Sequence, residues 1–233
     1  MVTADPALLL EPEPFTADML SREGIPEDVR LIGMSVREQG AAAPELDNAA
    51  YHDLIATTAD YMVRRYDARI VFVPMERADL REIHRVISRM GDPKHAHVLK
   101  AEYRPRQILG LMGRFEMAVG MRLHFLVFAA LSGIPMMALP YAPKVMDFLT
   151  SLGIEQRTAL EEAHAGAFLA DLDRLWDNRD VQLAAIAERL PRLRALASRT
   201  VPLAASVVGL GPGSDGDARD RTGEDLAGTP IAF

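Results

Sequence analysis

Short apolar runs alternate with longer segments of helical periodicity through the middle of the chain. The runs that predict strands cover residues 30–36, 70–73, 95–99, 115–119 and 134–139. In the segments between them apolar residues recur every three or four positions, which is typical of amphipathic helices. Strands separated by helices in this order predict a parallel sheet with right-handed crossovers, covered on both faces. We therefore expect a Rossmann-like α/β domain.

Helices are predicted between these strands and after the last of them. Asp47 is placed to cap the first helix and Asp79 to begin the second. The later helices are predicted over residues 105–112, 122–131, 143–152, 158–174, 180–190 and 192–208. Strand signals stop after Gly153, and Pro191 is expected to separate the last two helices.

The composition is that of a globular protein and narrows the classes of function. Hydrophobic residues make up 49% of the 233 residues and charged residues 25%. The formal net charge of -7 argues against a broad nucleic-acid-binding surface, although a local arginine cluster can still bind an anion. The absence of cysteine excludes disulfides and thiolate metal sites and fits a reducing compartment. We expect a cytoplasmic location.

The most apolar segment, "GMRLHFLVFAALSGIPMMALPYAPK" from Gly120 to Lys144, does not qualify as a membrane anchor. Its apolar part, residues 125–139, is shorter than the roughly 20 residues that a spanning helix needs. Gly133 and Pro135 interrupt it. We therefore expect a deeply buried helix and no transmembrane segment.

Basic residues follow several of the predicted strands, where a parallel α/β sheet binds its ligands. Arg37 follows the first strand, Arg122 and His124 follow the fourth, and Lys144 follows the fifth. An arginine at a strand-to-helix junction adds a planar fork to a helix end that already favours anions. His124 is suited to proton transfer near neutral pH. Residues two apart on a helix point in nearly opposite directions, so joint action requires Arg122 to lie on the turn.

Each of these residues also has a purely structural interpretation. A lone histidine on an apolar helix is more often a hydrogen-bonded core residue, and Arg37 taken alone suits a surface ion pair. Lys144 suits a solvated helix start as well as a phosphate contact. Two histidines on one strand, His95 and His97, have the spacing of some zinc sites but also suit an exposed strand face. Trp176 is better explained as a residue that anchors packing than as a surface on which a sugar stacks.

The run "VGMRLHFLVFAALSGIPMMALPYAPKVMDFLTSLG" resembles the signature of the polysaccharide pyruvyl transferases. The matching motifs are Arg122-Leu123-His124, Gly133-Ile134-Pro135 and Tyr141-Ala142-Pro143-Lys144. "IGMSVR", ending at Arg37, and "VFVPMERAD", ending at Asp79, match in order and spacing. The resemblance covers about residues 2–208. It implies the C-terminal half of a fold with two facing Rossmann-like domains, as in glycosyltransferases of the B type.

The resemblance also implies an activity. A pyruvyl group passes from phosphoenolpyruvate to two hydroxyls of a sugar in a cell-surface polysaccharide precursor, which forms a cyclic ketal and releases phosphate. Phosphoenolpyruvate is then a donor substrate, no cofactor is needed, and the acceptor is a lipid-linked or nucleotide-linked glycan. The implied catalytic residues are His124 and Arg122, and the implied substrate-binding residues are Arg37, Arg122, Leu123, Tyr141 and Lys144. Glu38 and Glu76 are candidate bases for the acceptor hydroxyl.

The start "MVTADPALLL" resembles the closing strand of the family's N-terminal domain. We therefore expect residues 1–28 to be a remnant of that domain and a linker, and residues 29–153 to form the donor-binding domain. Residues 154–210 are expected to be helices packed on it, and the Gly- and Asp-rich residues 211–233 a disordered tail. The acceptor half would come from a separate N-terminal domain chain or a homo-oligomer.

Two other functions stay open at this point. A nucleotide-sugar glycosyltransferase of similar architecture would bind a diphosphate with the same arginines. A truncated, non-catalytic remnant or subunit would use the same fold as a docking surface. Retention of Arg122 and His124 argues against complete decay of the site.

Overall fold

The predicted Rossmann-like α/β architecture is confirmed. A computed structural model describes residues 4–39, 47–139, 143–155, 165–200 and 202–203. Its strands are β1 Arg30–Ser35, β2 Ala68–Phe72, β3 Ala96–Val98, β4 Met117–Gly120 and β5 Met136–Ala138. They form a sheet of order β3-β2-β1-β4-β5 in which all neighbours are parallel. The outward winding from a central strand is that of a doubly wound fold.

Helices cover both faces of this sheet. They are α1 Ala17–Glu23, α2 Asn48–Tyr66, α3 Asp79–Ile87, α4 Pro105–Met112, α5 Leu123–Leu131, α6 Pro143–Ser151, α7 Ala165–Asp177 and α8 Arg179–Ser198. Short 3-10 helices occupy Pro6–Leu9 and Pro93–His95. Asp47 caps α2 as predicted, since its side chain accepts a hydrogen bond from the Ala50 amide at 2.7 Å.

The apolar strands are explained by burial on two sides. Alternate residues such as Ile32 and Met34 of β1 pack beneath α2, α3 and α7. Leu31 of the same strand faces the opposite core, which is formed with α1, α4, α5, α6 and α8. A strand buried on both faces loses the apolar–polar alternation of a half-exposed strand. This is why the sequence shows short continuous apolar runs.

Helix α5 is the apolar segment that raised the question of a membrane anchor. Its residues 125–130 are all buried, because the helix lies between the sheet, α4, α8 and the first 3-10 helix. Within the parts of the chain described above, no helix is long and apolar enough to cross a membrane. The apolar residues of α5 are therefore explained by their burial in the core of the domain.

The resemblance of the first residues to a closing strand is wrong for residues 4–10. Pro6–Leu9 form a 3-10 helix, which Asp5 caps by accepting a hydrogen bond from the Ala7 amide at 2.9 Å. Proline at the first helical position fixes the backbone for a helical turn. Leu8 is buried in the core on the α5 side of the sheet, which holds this turn in place.

The predicted break at Pro191 is also wrong. Helix α8 continues through Pro191 from Arg179 to Ser198. A proline inside a helix removes one hydrogen bond and costs about 3 kcal/mol. Buried Ile186 before the proline and buried Ala197 after it keep both halves of the helix against the core. The expected tail, residues 211–233, lies outside the described residues.

A buried hydrogen bond joins α2 to α3. His52 Nε2 is 2.8 Å from Glu82 Oε2, and Arg85 donates to the other oxygen at 3.0 Å. Burial alone would raise the pKa of Glu82. The hydrogen bonds from His52 and Arg81 and the charge of Arg85 outweigh burial and hold that pKa below its usual value. Glu82 therefore stays ionised and fixes the spacing of the two helices.

Gly110 of α4 lets the backbone at Glu13 cross close to the helix. Substitution of this glycine tests that packing. A Cβ at Gly110 would lie 1.8 Å from the Glu13 carbonyl oxygen, whereas one at Gly166 of α7 would meet nothing within 4 Å. We expect Gly110→Ala to lower the free energy of unfolding by about 3 kcal/mol, because backbone must shift. We expect Gly166→Ala to raise it by about 0.5 kcal/mol through helix propensity. Urea denaturation measures both; a neutral Gly110→Ala would contradict the crossing.

Candidate functional site

The sheet order places a topological switch point at the carboxyl ends of β1 and β4, which we call the β1–β4 crevice. From β1 the chain crosses over to β2 on one side, and from β4 it crosses to β5 on the other. Ser35 pairs with Gly120, and the Met121 amide donates to the Ser35 carbonyl at 3.1 Å. The loops that carry Arg37 and Arg122 therefore leave the sheet from adjacent strand ends. Such a switch point is where open α/β sheets bind ligands.

Tyr51 of α2 connects these two loops. Its hydroxyl donates to the Arg37 carbonyl at 2.5 Å and lies 2.8 Å from the Met121 sulfur. The side chain is buried, and a buried tyrosine hydroxyl needs a polar partner. The sequence analysis assigned no role at this edge to Tyr51. A tyrosine among aliphatic core positions was the available signal.

Gly120 ends β4 directly beneath α5. A Cβ at this position would lie 2.4 Å from the ring of Phe125 and 3.3 Å from the Ser35 Cβ. Glycine therefore lets α5 begin close above the strand. This packing accounts for the glycine without any approach of a ligand to its backbone.

Arg122 lies on the turn between β4 and α5, as joint action with His124 requires. Its backbone is extended, with φ -80° and ψ 126°, and it is the N-cap residue of α5. Its carbonyl oxygen accepts a hydrogen bond from the Leu126 amide at 3.2 Å. The residue thus sits where a helix N-terminus favours an anion.

The guanidinium of Arg122 is held by two carboxylates from the β2–α3 turn. Nε and Nη2 donate to Asp79 at 3.2 and 2.5 Å, and Nη1 and Nη2 donate to Glu76 at 2.6 and 2.9 Å. The side chain of Arg122 is 13% exposed. Burial alone would lower the pKa of Arg122, but Asp79 and Glu76 outweigh it and raise that pKa above its usual value. Arg122 is therefore a permanent cation.

His124 lies in the first turn of α5 and its side chain is 58% exposed. Its Nε2 is 3.3 Å from Asp5 Oδ2, in the segment that precedes the first 3-10 helix. Arg122 and His124 thus contact different neighbours, one in the β2–α3 turn and the other near the N-terminus. Their action on one ligand stays a prediction.

The other residues singled out in the sequence lie around this edge with different exposures. Arg37 is largely buried and its Nη2 is 3.7 Å from Glu38 Oε1. Leu123 packs against the core on the α5 side. Lys144 is exposed at the start of α6, and Tyr141 lies outside the described residues.

Asp79 and Glu76 are the site residues whose role the sequence analysis missed. Asp79 was expected only as a helix start and Glu76 only as a candidate base. Asp79 is the first residue of α3, and its Oδ2 accepts the amides of Met75 and Glu76 at 3.1 Å each. Carboxylates after β2 face a cation after β4 because both loops rise from the same sheet edge. The available signal was an acidic pair at one strand end and an arginine at another.

The two remaining candidates are Trp176 and the pair His95 and His97. Trp176 stacks on Tyr66 at 4.5 Å, and the guanidinium groups of Arg30 and Arg179 lie 5.2 and 5.1 Å from its ring centre. These contacts agree with a packing anchor. Among the described residues, no group of three histidine, aspartate or glutamate side chains is arranged to hold a metal ion.

A family model described as polysaccharide pyruvyl transferase matches residues 1–143 of the 233, which is more than half of the chain. The match includes β1 to β5 and the Arg122-Leu123-His124 triplet. No curated protein matches the chain significantly.

Solved structures share the fold at low sequence identity. A putative UDP-N-acetylglucosamine 2-epimerase from Listeria monocytogenes is 13% identical with a TM-score of 0.60, over 95% of this chain and 56% of that one. A UDP co-structure of S. aureus MnaA is 10% identical with a TM-score of 0.62, over 92% and 57%. The trehalose-6-phosphate synthase OtsA is 12% identical with a TM-score of 0.53, over 86% and 49%. The chain thus spans about half the length of these proteins.

The buried contact between Arg122 and Asp79 yields a stability prediction. Arg122→Ala would leave the Asp79 carboxylate buried without its cation, so we expect the free energy of unfolding to fall by about 3 kcal/mol. Arg77→Ala, which removes a 90% exposed partner of Glu102, should change it by no more than about 0.5 kcal/mol. Urea denaturation measures both variants. In an Asp79→Ala background the cost of Arg122→Ala should shrink; an unchanged cost would exclude the pairing.

Proposed function

Because the chain belongs to the polysaccharide pyruvyl transferase family, we propose that it carries the donor site of a pyruvyl transfer from phosphoenolpyruvate to a cell-surface glycan precursor. The observation that supports this proposal is the position of Arg122-Leu123-His124, within the matched region and beside the β1–β4 crevice. The product is a cyclic pyruvate ketal on a sugar of the precursor.

The proposed reaction needs one proton delivered and two hydroxyls consumed. Protonation of the enol methylene turns it into a methyl group and leaves an oxocarbenium-like centre at the neighbouring carbon. One sugar hydroxyl attacks that carbon, phosphate leaves with cleavage of its carbon–oxygen bond, and the second hydroxyl closes the ketal. One of the two hydroxyl protons replaces the proton that was delivered to the methyl group, and the other leaves with phosphate.

The residues at the crevice suit this chemistry in distinct ways. Phosphoenolpyruvate carries a carboxylate and a phosphate, and Arg122 and Arg37 present guanidinium groups from adjacent loops. The N-terminus of α5 adds the partial positive charge of its free amides. His124 is the proton-transfer group in this proposal, either toward the methylene or toward the departing phosphate. Lys144 at the start of α6 and Leu123 complete the proposed donor-binding residues, together with Tyr141.

The acceptor in this proposal is a lipid-linked or nucleotide-linked glycan, and the reaction takes place in the cytoplasm. In this proposal the chain supplies the donor side of the crevice, and it spans about half the length of the structures that share its fold. We therefore place the acceptor-binding surface on a facing domain or subunit, which includes a second copy of the chain.

Ligand preference separates this proposal from a nucleotide-sugar glycosyltransferase. We expect the protein to bind phosphoenolpyruvate at least about tenfold more tightly than UDP-N-acetylglucosamine, or about 1.4 kcal/mol, in isothermal titration calorimetry. Arg122→Lys keeps the charge but loses the planar fork, so it should weaken phosphoenolpyruvate binding about tenfold. Arg77→Lys is the matched control and should bind as the wild type does. Preferential binding of the nucleotide sugar would exclude the proposed donor.

His124 is expected to act on turnover more than on binding. His124→Gln should reduce phosphate release from phosphoenolpyruvate and lipid-linked glycan precursors by about a hundredfold, because a positioned acid contributes on that order. Its phosphoenolpyruvate affinity should stay within about twofold of the wild type. His84→Gln, at an exposed histidine of α3, is the control. Full turnover by His124→Gln would assign proton transfer elsewhere.

A further inference from the structure

The guanidinium of Arg122 offers two hydrogen-bonding edges, and a different carboxylate occupies each. The side edge, Nε with Nη2, donates to Asp79, whereas the end edge, Nη1 with Nη2, donates to Glu76. Both arrangements are two-pronged, which is the geometry in which guanidinium binds carboxylate or phosphate most specifically. A donor anion can reach Arg122 through an edge only if the carboxylate on that edge leaves.

Asp79 is fixed on the side edge. Its side chain is 1% exposed, and the amides of Met75 and Glu76 also donate to it. It lies in the first turn of α3, where the helix dipole favours a carboxylate. Moving Asp79 would break these bonds together, so Asp79 is an anchor for Arg122 and not an exchangeable ligand.

Glu76 on the end edge is in the opposite situation. Its side chain is 62% exposed, so it can rotate into solvent without leaving a buried charge behind. An ion pair with such an exposed partner contributes on the order of 1 kcal/mol or less. The end edge of Arg122 is therefore the edge that a ligand can take at low cost.

We propose that Glu76 occupies the ligand-binding edge of Arg122 as an internal carboxylate, and that an oxyanion of the donor displaces it. The Glu76 carboxylate then marks the position of that oxyanion, which presents two parallel oxygens to Nη1 and Nη2. In naming phosphoenolpyruvate as the donor, this inference rests on the proposed function. Either its carboxylate or its phosphate has the required chemistry.

A physical reason supports each state of the exchange, the empty protein and the protein with ligand bound. In the empty protein Glu76 satisfies donors of a guanidinium that is mostly buried, and it holds the end edge of that guanidinium in place. With ligand present, a second anion in the same fork would repel Glu76. Displacing Glu76 therefore lowers the apparent affinity by the stability of the Arg122–Glu76 pair.

Neutralising Glu76 tests the exchange directly. We expect Glu76→Gln to bind phosphoenolpyruvate about fivefold more tightly than the wild type in isothermal titration calorimetry. Glu102→Gln removes the same charge from the exposed partner of Arg77, which neighbours Glu76, and should change affinity by less than about twofold. Glu76→Ala provides a second variant without an amide, and circular dichroism verifies that each variant is folded.

Inorganic phosphate and pyruvate serve as separate probes for the two halves of the donor, followed by NMR titration. The anion whose binding tightens most in Glu76→Gln identifies the group that replaces Glu76. Tighter binding of phosphate or pyruvate without binding of phosphoenolpyruvate would support the exchange and exclude the proposed function. Unchanged or weaker binding of all three anions in both Glu76 variants, or equal tightening in Glu102→Gln, would overturn the exchange.

Discussion

The contact between Arg122 and Asp79 determines how the carboxyl edge of the sheet is organised. It joins the turn after β4 to the turn after β2 across the end of β1, with Asp79 almost fully buried. A buried ion pair of this kind tolerates little change, because removing either member leaves an uncompensated charge. The positions of α3 and α5 relative to the crevice follow from it. So does the direction of the guanidinium edge that Glu76 occupies.

This organisation also bears on how a chain with a formal net charge of -7 would bind the small anion of the proposed function. In the proposed donor site, positive charge would come from a few fixed groups and not from the overall charge. Arg37 and Arg122 leave adjacent strand ends, and the N-terminus of α5 opens at the same place. The carboxylates nearby are paired with these cations, so the local field depends on which pairs can open.

The sequence predicted the sheet well because burial on both faces leaves a local signal, a short continuous apolar run. Asp47 was recognised as a cap because capping acts within three residues. The continuous helix across Pro191 was not predicted, since Ile186 and Ala197 hold it through contacts with distant parts of the chain. The pairing of Arg122 with Asp79 was missed for the same reason, because 43 positions separate the two residues. Tertiary partners of charged side chains leave no periodicity in a single sequence.

Exposure of His124 adds a final constraint on the proposed chemistry. The side chain of His124 is 58% exposed and its Nε2 lies 3.3 Å from Asp5 Oδ2, so water can reach the imidazole. An oxocarbenium-like centre formed beside it would be captured by water unless the site is closed. Pyruvyl transfer therefore requires a surface that covers His124 and excludes water when both substrates are bound. In the proposed reaction the acceptor glycan, with the domain or subunit that holds it, would fill that role, so that the second substrate would complete the dry site in which the first becomes reactive.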